Sequence, residues 1–333
     1  MKFKILLLIF ILFALANTAS AHVRYFISDK DFSEKSGLDF SFLFEALKDP
    51  QNIMLMIGTV VLLGIVYFLS IKLPFLRHEI ATINKRADGY SIFTPWILRL
   101  SLGVALIGSG VSETLVSPVL TGFEHLALIQ ILLGFLILVG FLVIPSVIVA
   151  LGLYVFAFTQ DTYLLGNLEF FAIAFSLLIL DNEKPGLDDL LGLPKISPLR
   201  LLKRYVPLVL RFGIGGAMIF LGIYEKILNP HISESVVIST GLINAIPVST
   251  SMWVFSAGII EVLIGLALVA GFYTRLSSAI AFVVLSMSFF YFGEDVSSHI
   301  TLFGILAVLF ITRGGIWSLD CKRNKVNYEF TCE

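Results

Sequence analysis

Cysteine is nearly absent from this chain, which has only two in 333 residues, and both lie close to the C-terminus. They are Cys321 and Cys332, and no CxxC pair occurs anywhere in the sequence. This scarcity argues against a disulfide framework. It also argues against thiol–disulfide exchange as the chemistry of the protein.

Charged residues are also scarce. Only 14% of the residues are charged, 57% are hydrophobic, the net charge is −1 and the mean hydropathy is +0.94. This composition indicates an integral membrane protein, and nothing in it suggests a nucleic-acid partner. The sequence also lacks P-loop, dinucleotide-binding, serine-hydrolase and haem-attachment motifs, so it offers no support for those chemistries.

The chain begins with two lysines, an apolar run and Ala19-Ser20-Ala21. This pattern predicts a secretory signal peptide over residues 1–21; the alternative is an uncleaved first helix. Both interpretations place the following segment, 22–52, outside the cell. Within that segment the sequence LDFSFLFEALKD (38–49) could form an amphipathic helix at the outer interface.

Runs long enough to cross a bilayer follow this segment. The first is an extra transmembrane helix at 53–73. The eight others are 95–117, 124–143, 145–160, 164–181, 205–228, 252–272, 274–292 and 297–313.

The distribution of basic residues predicts the orientation of these spans. With the segment 22–52 outside, sixteen of the 23 Lys and Arg residues fall on the cytoplasmic side, and the loop 231–251 contains none. Such a bias is typical of cytoplasmic loops. We therefore expect a multi-pass protein of a bacterial-type inner membrane, with the mature N-terminus outside and the tail, 321–333, in the cytoplasm.

The membrane part of the sequence contains an internal repeat. PWILRLSLGVALIGSGVSETLVSP (95–118) aligns without a gap with PLVLRFGIGGAMIFLGIYEKILNP (207–230), and LIQILLGFLILVGF (128–141) matches IIEVLIGLALVAGF (259–272). Repeats of this kind decide architecture. We predict an all-α membrane protein with two tandem four-helix repeats, 95–181 and 205–320, that enter the membrane from the same side.

An Arg–Gly–Gly–Glu stripe recurs on the first helix of each repeat, because the spacing puts all four residues on one face. We expect the arginines and glycines to be structural, with close helix approach at Gly and arginines reaching for headgroups. The stripe residues, with a further basic position, are Arg99, Gly103, Gly110, Glu113, Arg211, Gly215, Gly222 and Arg275.

The second repeat carries more ionisable residues at its outer end. Glu225, Lys226, Glu261 and His299 are the candidates for chemistry, and Lys226 and His231 are the candidates for binding a cofactor. A carboxylate this deep in apolar helices requires a partner or a proton, so we expect these side chains to converge on one outward-facing cavity. The first repeat keeps only Glu113, Glu124, His125 and Glu169.

Metal binding has little support, because the spacings HxxxH and HExxH are absent. The histidines that remain as weak candidates are His22, His231 and His299. We expect no intrinsic cofactor.

The C-terminal half resembles the DoxX/DoxD family of small four-helix membrane proteins. The resemblance rests on LRFGIGGAMIFLGIYEKILNP (210–230), EVLIGLALVAGFYTR (261–275) and HITLFGILAVLFITRGGIWSLD (299–320). The first repeat looks like a diverged copy, which lacks the Lys at Thr114, the Arg at Ile144 and the WSLD ending. Some members of this family are the membrane subunit of thiosulfate:quinone oxidoreductase, and others are linked to redox-stress complexes.

Three functions follow as hypotheses. The leading one is a redox membrane subunit that exchanges protons or electrons with a quinone at Glu225, Lys226 and Glu261, with an external oxidoreductase as partner because no redox centre is visible. The alternatives are a structural or assembly subunit without chemistry, and a transporter for a small solute or ion. Fold resemblance alone does not choose between them.

Overall fold

The computed structural model describes residues 23–26, 32, 34–73, 82–180, 186–193, 199–245 and 248–323. The predicted signal peptide, His22 and most of the tail lie outside these residues. Within the described ranges the regular structure is helical, and six helices are long and apolar enough to cross a membrane. Two further apolar helices, Glu124–Val139 and Val296–Thr312, are shorter. The expected fold class, an all-α integral membrane protein, is confirmed.

The longer helices are numbered here in chain order. They are α1 Phe40–Lys48, α2 Pro50–Lys72, α3 Thr94–Val111, α4 Ala127–Val139, α5 Val143–Gln160, α6 Leu168–Leu180, α7 Val206–Leu221, α8 Pro230–Ser239, α9 Thr250–Ala270, α10 Thr274–Phe292 and α11 Val296–Thr312. After α7 the chain continues without a break as a wider π-helical segment, Gly222–Leu228.

Two compact units divide the chain. The first contains the described parts of Met1–Ile65 together with Leu221–Val262 and Val283–Gly293. The second contains Val66–Phe220, Leu263–Phe282 and the described part of Glu294–Glu333. Helices α9 and α10 contribute residues to both units.

In the first unit, α1 is amphipathic, as its sequence predicts. Asp39 caps its N-terminus by accepting hydrogen bonds from the backbone N–H groups of Ser41 and Phe42, which satisfies donors that have no partner inside the helix. Phe42 and Ala46 are buried in an apolar cluster that includes Trp253 and Phe255. The opposite face remains exposed and is formed by Leu38, Phe40, Phe44 and Leu47.

In the second unit, α3 packs against α4, α6 and α11. Glycines allow two of these helices to touch: a β-carbon added to Gly103 would lie 2.8 Å from the Gly134 carbonyl oxygen of α4. Glycines also allow α7 to pack closely on α9, because a β-carbon at Gly215 would lie 2.7 Å from the carbonyl oxygen of Gly265. Close approach at small residues is how membrane helices associate.

Two further contacts in the second unit cross between the predicted repeats. Ser101 of α3 packs on Gly304 of α11. Gly213 of α7, which aligns with Ser101, packs on Ala172 of α6. In each case the first helix of one predicted repeat contacts the last helix of the other.

One expectation about local structure is wrong. Helix α3 ends at Val111, before the predicted end of the span at 117, so Glu113 is exposed in a turn with φ of 57°.

Candidate functional site

The π-helical segment Gly222–Leu228 determines where the candidate residues point. A π-helix has a wider turn than an α-helix and is often found at functional sites. Gly222 allows α9 to approach closely, since a β-carbon there would lie 2.9 Å from the Gly258 carbonyl oxygen. Glu225 and Lys226 follow within this wide turn, and both are buried although they are adjacent in sequence.

Glu225, Lys226 and Glu261 form a buried ionic cluster, called here the acid–base triad. Lys226 Nζ donates to Glu261 Oε2 at 2.8 Å and to Glu225 Oε2 at 3.3 Å. All three side chains are about 2–3% exposed. The structure thus brings together three of the residues that the sequence selected.

The N-terminal turn Val23–Phe26 covers one side of the triad. The backbone N–H of Val23 donates to Glu225 Oε2 at 3.1 Å, and the N–H of Arg24 donates to Glu225 Oε1 at 3.3 Å. On the other side, the Ser233 hydroxyl of α8 donates to the backbone carbonyl of Glu225 at 2.8 Å. Glu225 is therefore surrounded by donors on both its side chain and its backbone.

The two carboxyl groups of the triad are not equivalent. Glu261 Oε1 is buried and has no hydrogen-bond partner among the described residues. If both carboxyls were ionised, one ammonium would face two negative charges, and an uncompensated charge in an apolar interior is costly. A proton on Glu261 would make the triad neutral.

A small cavity adjoins the triad in the first unit. Its volume is about 30 Å³, which is enough for about two water molecules. Lys226 and Ser233 are its polar lining, and the rest of the wall is apolar, including Trp253 and Phe292. The cavity gives Lys226 a face that is not closed by its two carboxylate partners.

His231 does not join this buried group. Its ring is 55% exposed and lies between Asp39 Oδ2 at 3.3 Å and Glu234 Oε2 at 3.1 Å. The hydrogen bond from the Ser41 hydroxyl, helped by backbone N–H groups and by His231, lowers the pKa of Asp39 below its ordinary value. His231 was predicted to be interior because it follows the helix, but Pro230 begins a new helix there and turns the ring outward.

His299 belongs to the second unit and has partners there. Its Nε2 contacts Glu294 Oε2, and its Nδ1 lies 2.9 Å from the Ser298 hydroxyl. Both members of the His299–Glu294 pair are buried. Neither histidine belongs to a group of three potential metal ligands in the part of the chain that the structure describes.

The corresponding place in the first predicted repeat contains no buried ion pair. Gln130, which aligns with Glu261, accepts from the N–H of Val116 at 3.0 Å and donates to the carbonyl of Thr114 at 2.7 Å. Thr114 itself occupies the position that aligns with Lys226. The Gln130 amide, which hydrogen-bonds to the backbone, thus stands where the second predicted repeat has the ion pair of Lys226 and Glu261. Glu113 is exposed and is not part of a polar site.

The arginines of the stripe are buried rather than directed to headgroups. Arg211 is fully buried, and its guanidinium donates to the carbonyls of Val269 and Ile316, both at 3.0 Å. It lies against Gly271, which has φ of 63° and where a β-carbon would overlap the guanidinium. Arg99 is 4% exposed and lies in the same way beside Gly140. Both arginines therefore support the C-terminal end of a neighbouring helix.

Arg275 also has a structural position. It donates to the carbonyl of Phe310 at 2.6 Å and that of Ile311 at 2.7 Å, near the end of α11. It forms an ion pair with Asp88, which also bonds Arg313 at 2.8 Å. Asp88, which the sequence did not single out, links the helical segment 82–88 to this end of the unit.

A second aspartate that the sequence analysis missed is Asp188. Its carboxylate accepts from the N–H of Leu142, and its own N–H donates to the Gly140 carbonyl. Asp320, of the WSLD ending, does the same with Tyr273, Thr274 and Gly271. Leu187-Asp188, just after the first predicted repeat, thus makes contacts that match those of Leu319-Asp320 in the WSLD ending.

A comparison with protein families supports the resemblance read from the sequence. Residues 206–294 match the DoxX family. The whole acid–base triad, Arg211 and Arg275 fall inside this DoxX segment, whereas His299 follows it. No curated protein and no solved structure matches the chain. The DoxX segment and the membrane-length helices indicate a multi-pass membrane protein with a DoxX part.

Proposed function

We propose that this protein is a redox membrane subunit that binds a quinone beside the acid–base triad and moves the protons of its reduction. Reducing a quinone to a quinol takes two electrons and two protons. An external oxidoreductase would supply the electrons by oxidising its own substrate. Lys226 and Glu261 would deliver protons to the two carbonyl oxygens.

The observation that carries the proposal is the contact between a charged group and an apolar cavity. Lys226 is bound to two carboxylates and at the same time lines a cavity with Trp253 and Phe292. Such a wall, apolar with a few convergent polar groups, is typical of cofactor pockets. Glu261, a carboxyl with one unpartnered oxygen that is bonded to Lys226, would be a suitable proton donor.

The cavity volume limits the way a quinone could bind. About 30 Å³ accommodates water but not a quinone ring, so the ring would enter only if part of the wall moved. The Val23–Phe26 turn is the part that we expect to move, because Val23 lines the cavity and the turn is attached to Glu225 by backbone hydrogen bonds.

The experiment is a quinone assay on the purified protein in lipid nanodiscs. We expect a quinone to co-purify or to bind with a saturable isotherm, and we expect Lys226→Met and Glu261→Gln to weaken binding at least tenfold. Gln130→Glu, at the matching place of the first repeat, is the control and should leave binding unchanged. Absence of quinone binding, with no change in quinone reduction by membranes on deletion of the gene, would refute the proposal.

A second candidate function is assembly without chemistry, and the bonding of Glu225 favours it. Because both carboxylate oxygens of Glu225 accept backbone N–H groups of the N-terminal turn, the triad could serve to hold that turn in place. In this case Glu261→Gln should lower the amount of folded protein and the cellular phenotype in proportion. A loss of quinone binding at normal protein abundance would exclude it.

The proposal includes a tandem duplication. The paired glycine contacts Gly103/Gly134 and Gly215/Gly265, and the matching hydrogen bonds of Asp188 and Asp320, support it. We propose that both copies cross an inner membrane in the same direction, with the triad in the outer leaflet. The first copy would then be a scaffold, since its Gln130 has replaced the acid.

A further inference from the structure

Glu169 is a buried carboxyl group that the proposed quinone site does not use. It is the second residue of α6 and is 1% exposed. Its Oε1 accepts from the Thr301 hydroxyl of α11 at 3.3 Å and from the Asn167 amide at 3.5 Å. Its Oε2 is buried with no hydrogen-bond partner among the described residues.

No described cation forms an ion pair with Glu169. The ionisable groups on the helices that pack around α6 have other partners. Tyr154 of α5 donates to the Leu164 carbonyl at 2.9 Å, and His299 of α11 contacts Glu294. Arg211 of α7 bonds two backbone carbonyls, and Arg99 of α3 lies beside Gly140. An ionised Glu169 would therefore carry a buried, unbalanced charge, which membrane interiors disfavour.

The residue that faces Glu169 occupies the corresponding position of the second predicted repeat, and it is a threonine rather than a cation. Glu169 is separated from Thr301 by 132 residues, and the same interval separates Asp188 from Asp320 and Ala172 from Gly304, which make matching contacts. The hydrogen bond to Thr301 thus joins corresponding positions of the two predicted repeats. One repeat supplies an acid there and the other supplies a hydroxyl.

We propose that Glu169 is a proton-binding site, with an exchangeable proton on Oε2. A proton on Oε2 removes the buried charge, which is the larger cost in an apolar interior, and leaves a neutral hydroxyl at the position of the unpartnered oxygen. A metal cation fits the surroundings less well, because it requires several oxygen ligands, whereas the Thr301 hydroxyl and the Asn167 amide both direct hydrogens at the carboxyl group. This site is independent of the proposed quinone site.

Infrared difference spectroscopy tests this assignment directly. At neutral pH the wild-type protein should show the carbonyl stretch of a protonated carboxyl, with the downshift in D₂O that marks an exchangeable proton. Glu169→Gln should remove that component, and Glu169→Asp should shift it. Glu261→Gln, which alters a buried acid of the acid–base triad, should leave it in place. A spectrum that is the same in wild type and Glu169→Gln would overturn the proposal.

Two further measurements keep the result interpretable. Glu169→Gln retains a carbonyl acceptor for Thr301 and an N–H₂ group at the Oε2 position, so its thermal unfolding at neutral pH should match that of wild type. Marked destabilisation would indicate that an ionised carboxylate is needed, against the proposal. Replacing choline by sodium at fixed pH should not change the Glu169 band, and loss of the band would show that a metal cation takes the site instead.

Discussion

Arg211 illustrates how a charged side chain is accommodated in an apolar interior without an ion pair of its own. Its guanidinium donates to two backbone carbonyls from different parts of the chain, Val269 and Ile316. These carbonyls lie near helix ends, where acceptors have no partner inside the helix and where the helix dipole favours a cation. The residue therefore acts as a structural cap, and no chemistry needs to be assigned to it.

Replacing Arg211 tests this role. Arg211→Met would leave two buried carbonyl groups without donors, so we expect unfolding in detergent to require at least about 2 kcal/mol less free energy. Arg211→Lys should lose less, because an ammonium can still reach one acceptor. Thermal unfolding followed by circular dichroism measures both. The exposed Arg204, changed to Met, is the control; equal effects at the two positions would contradict the capping role.

The sequence could predict the residue content of the triad but not its geometry. Glu225, Lys226 and Glu261 stand out because charge is rare in apolar spans, and rarity is visible in a sequence. The π-helical turn that buries Glu225 and Lys226 together depends on packing against α9 and α8. For the same reason the early end of α3, which exposes Glu113, could not be read from a pattern that continues past it.

At the scale of single elements, α1 combines a capped start with apolar residues on both its buried and its exposed face. Asp39 holds the N-terminus and also faces His231, so one carboxylate connects α1 to the start of α8. The apolar residues exposed on α1, such as Phe40 and Phe44, agree with the expected location at a membrane interface. The element is thereby fixed by a polar contact at its start and by apolar burial of Phe42.

Two substitutions of Asp39 separate its contacts. Asp39→Ala removes both the cap and the pair with His231, so the amide protons of Ser41 and Phe42 should exchange faster with solvent. Asp39→Asn keeps a good cap and loses only the charge, and should protect these amides nearly as well as wild type. Because the pKa of Asp39 is lowered in the folded protein, its contribution is present at neutral pH and is lost as the pH falls through that lowered value. Hydrogen exchange measured by mass spectrometry at neutral and acidic pH checks both points, and faster exchange in Asp39→Asn would show that charge, not capping, dominates.

At the scale of the whole molecule, the proposed tandem duplication would account together for several separate observations. Asp188 and Asp320 each bind the turn that follows a left-handed glycine, Gly140 or Gly271. The first helix of each predicted repeat contacts the last helix of the other, through Ser101/Gly304 and Gly213/Ala172. Duplication with divergence would keep such packing residues and release the ionisable ones. On this hypothesis the ionisable residues are free to change in either copy. The amide at Gln130 and the acid at Glu169 would be two examples of such changes.

Cysteine labelling can test whether the two predicted repeats cross the membrane in the same direction. Because each predicted repeat has four spans, the turn after α3 and the turn after α8 should face the same side, and the segment after α6 should face the other. Ser112→Cys and Ser239→Cys, both exposed positions, should react with a membrane-impermeant maleimide on intact cells when the native cysteines are replaced. Leu191→Cys, also exposed, should react only after the membrane is opened, as the excess of basic residues on that side predicts. Labelling of Ser112→Cys and Ser239→Cys from opposite sides would mean inverted copies, and the two repeats would then be related as in many secondary transporters rather than by a simple tandem duplication.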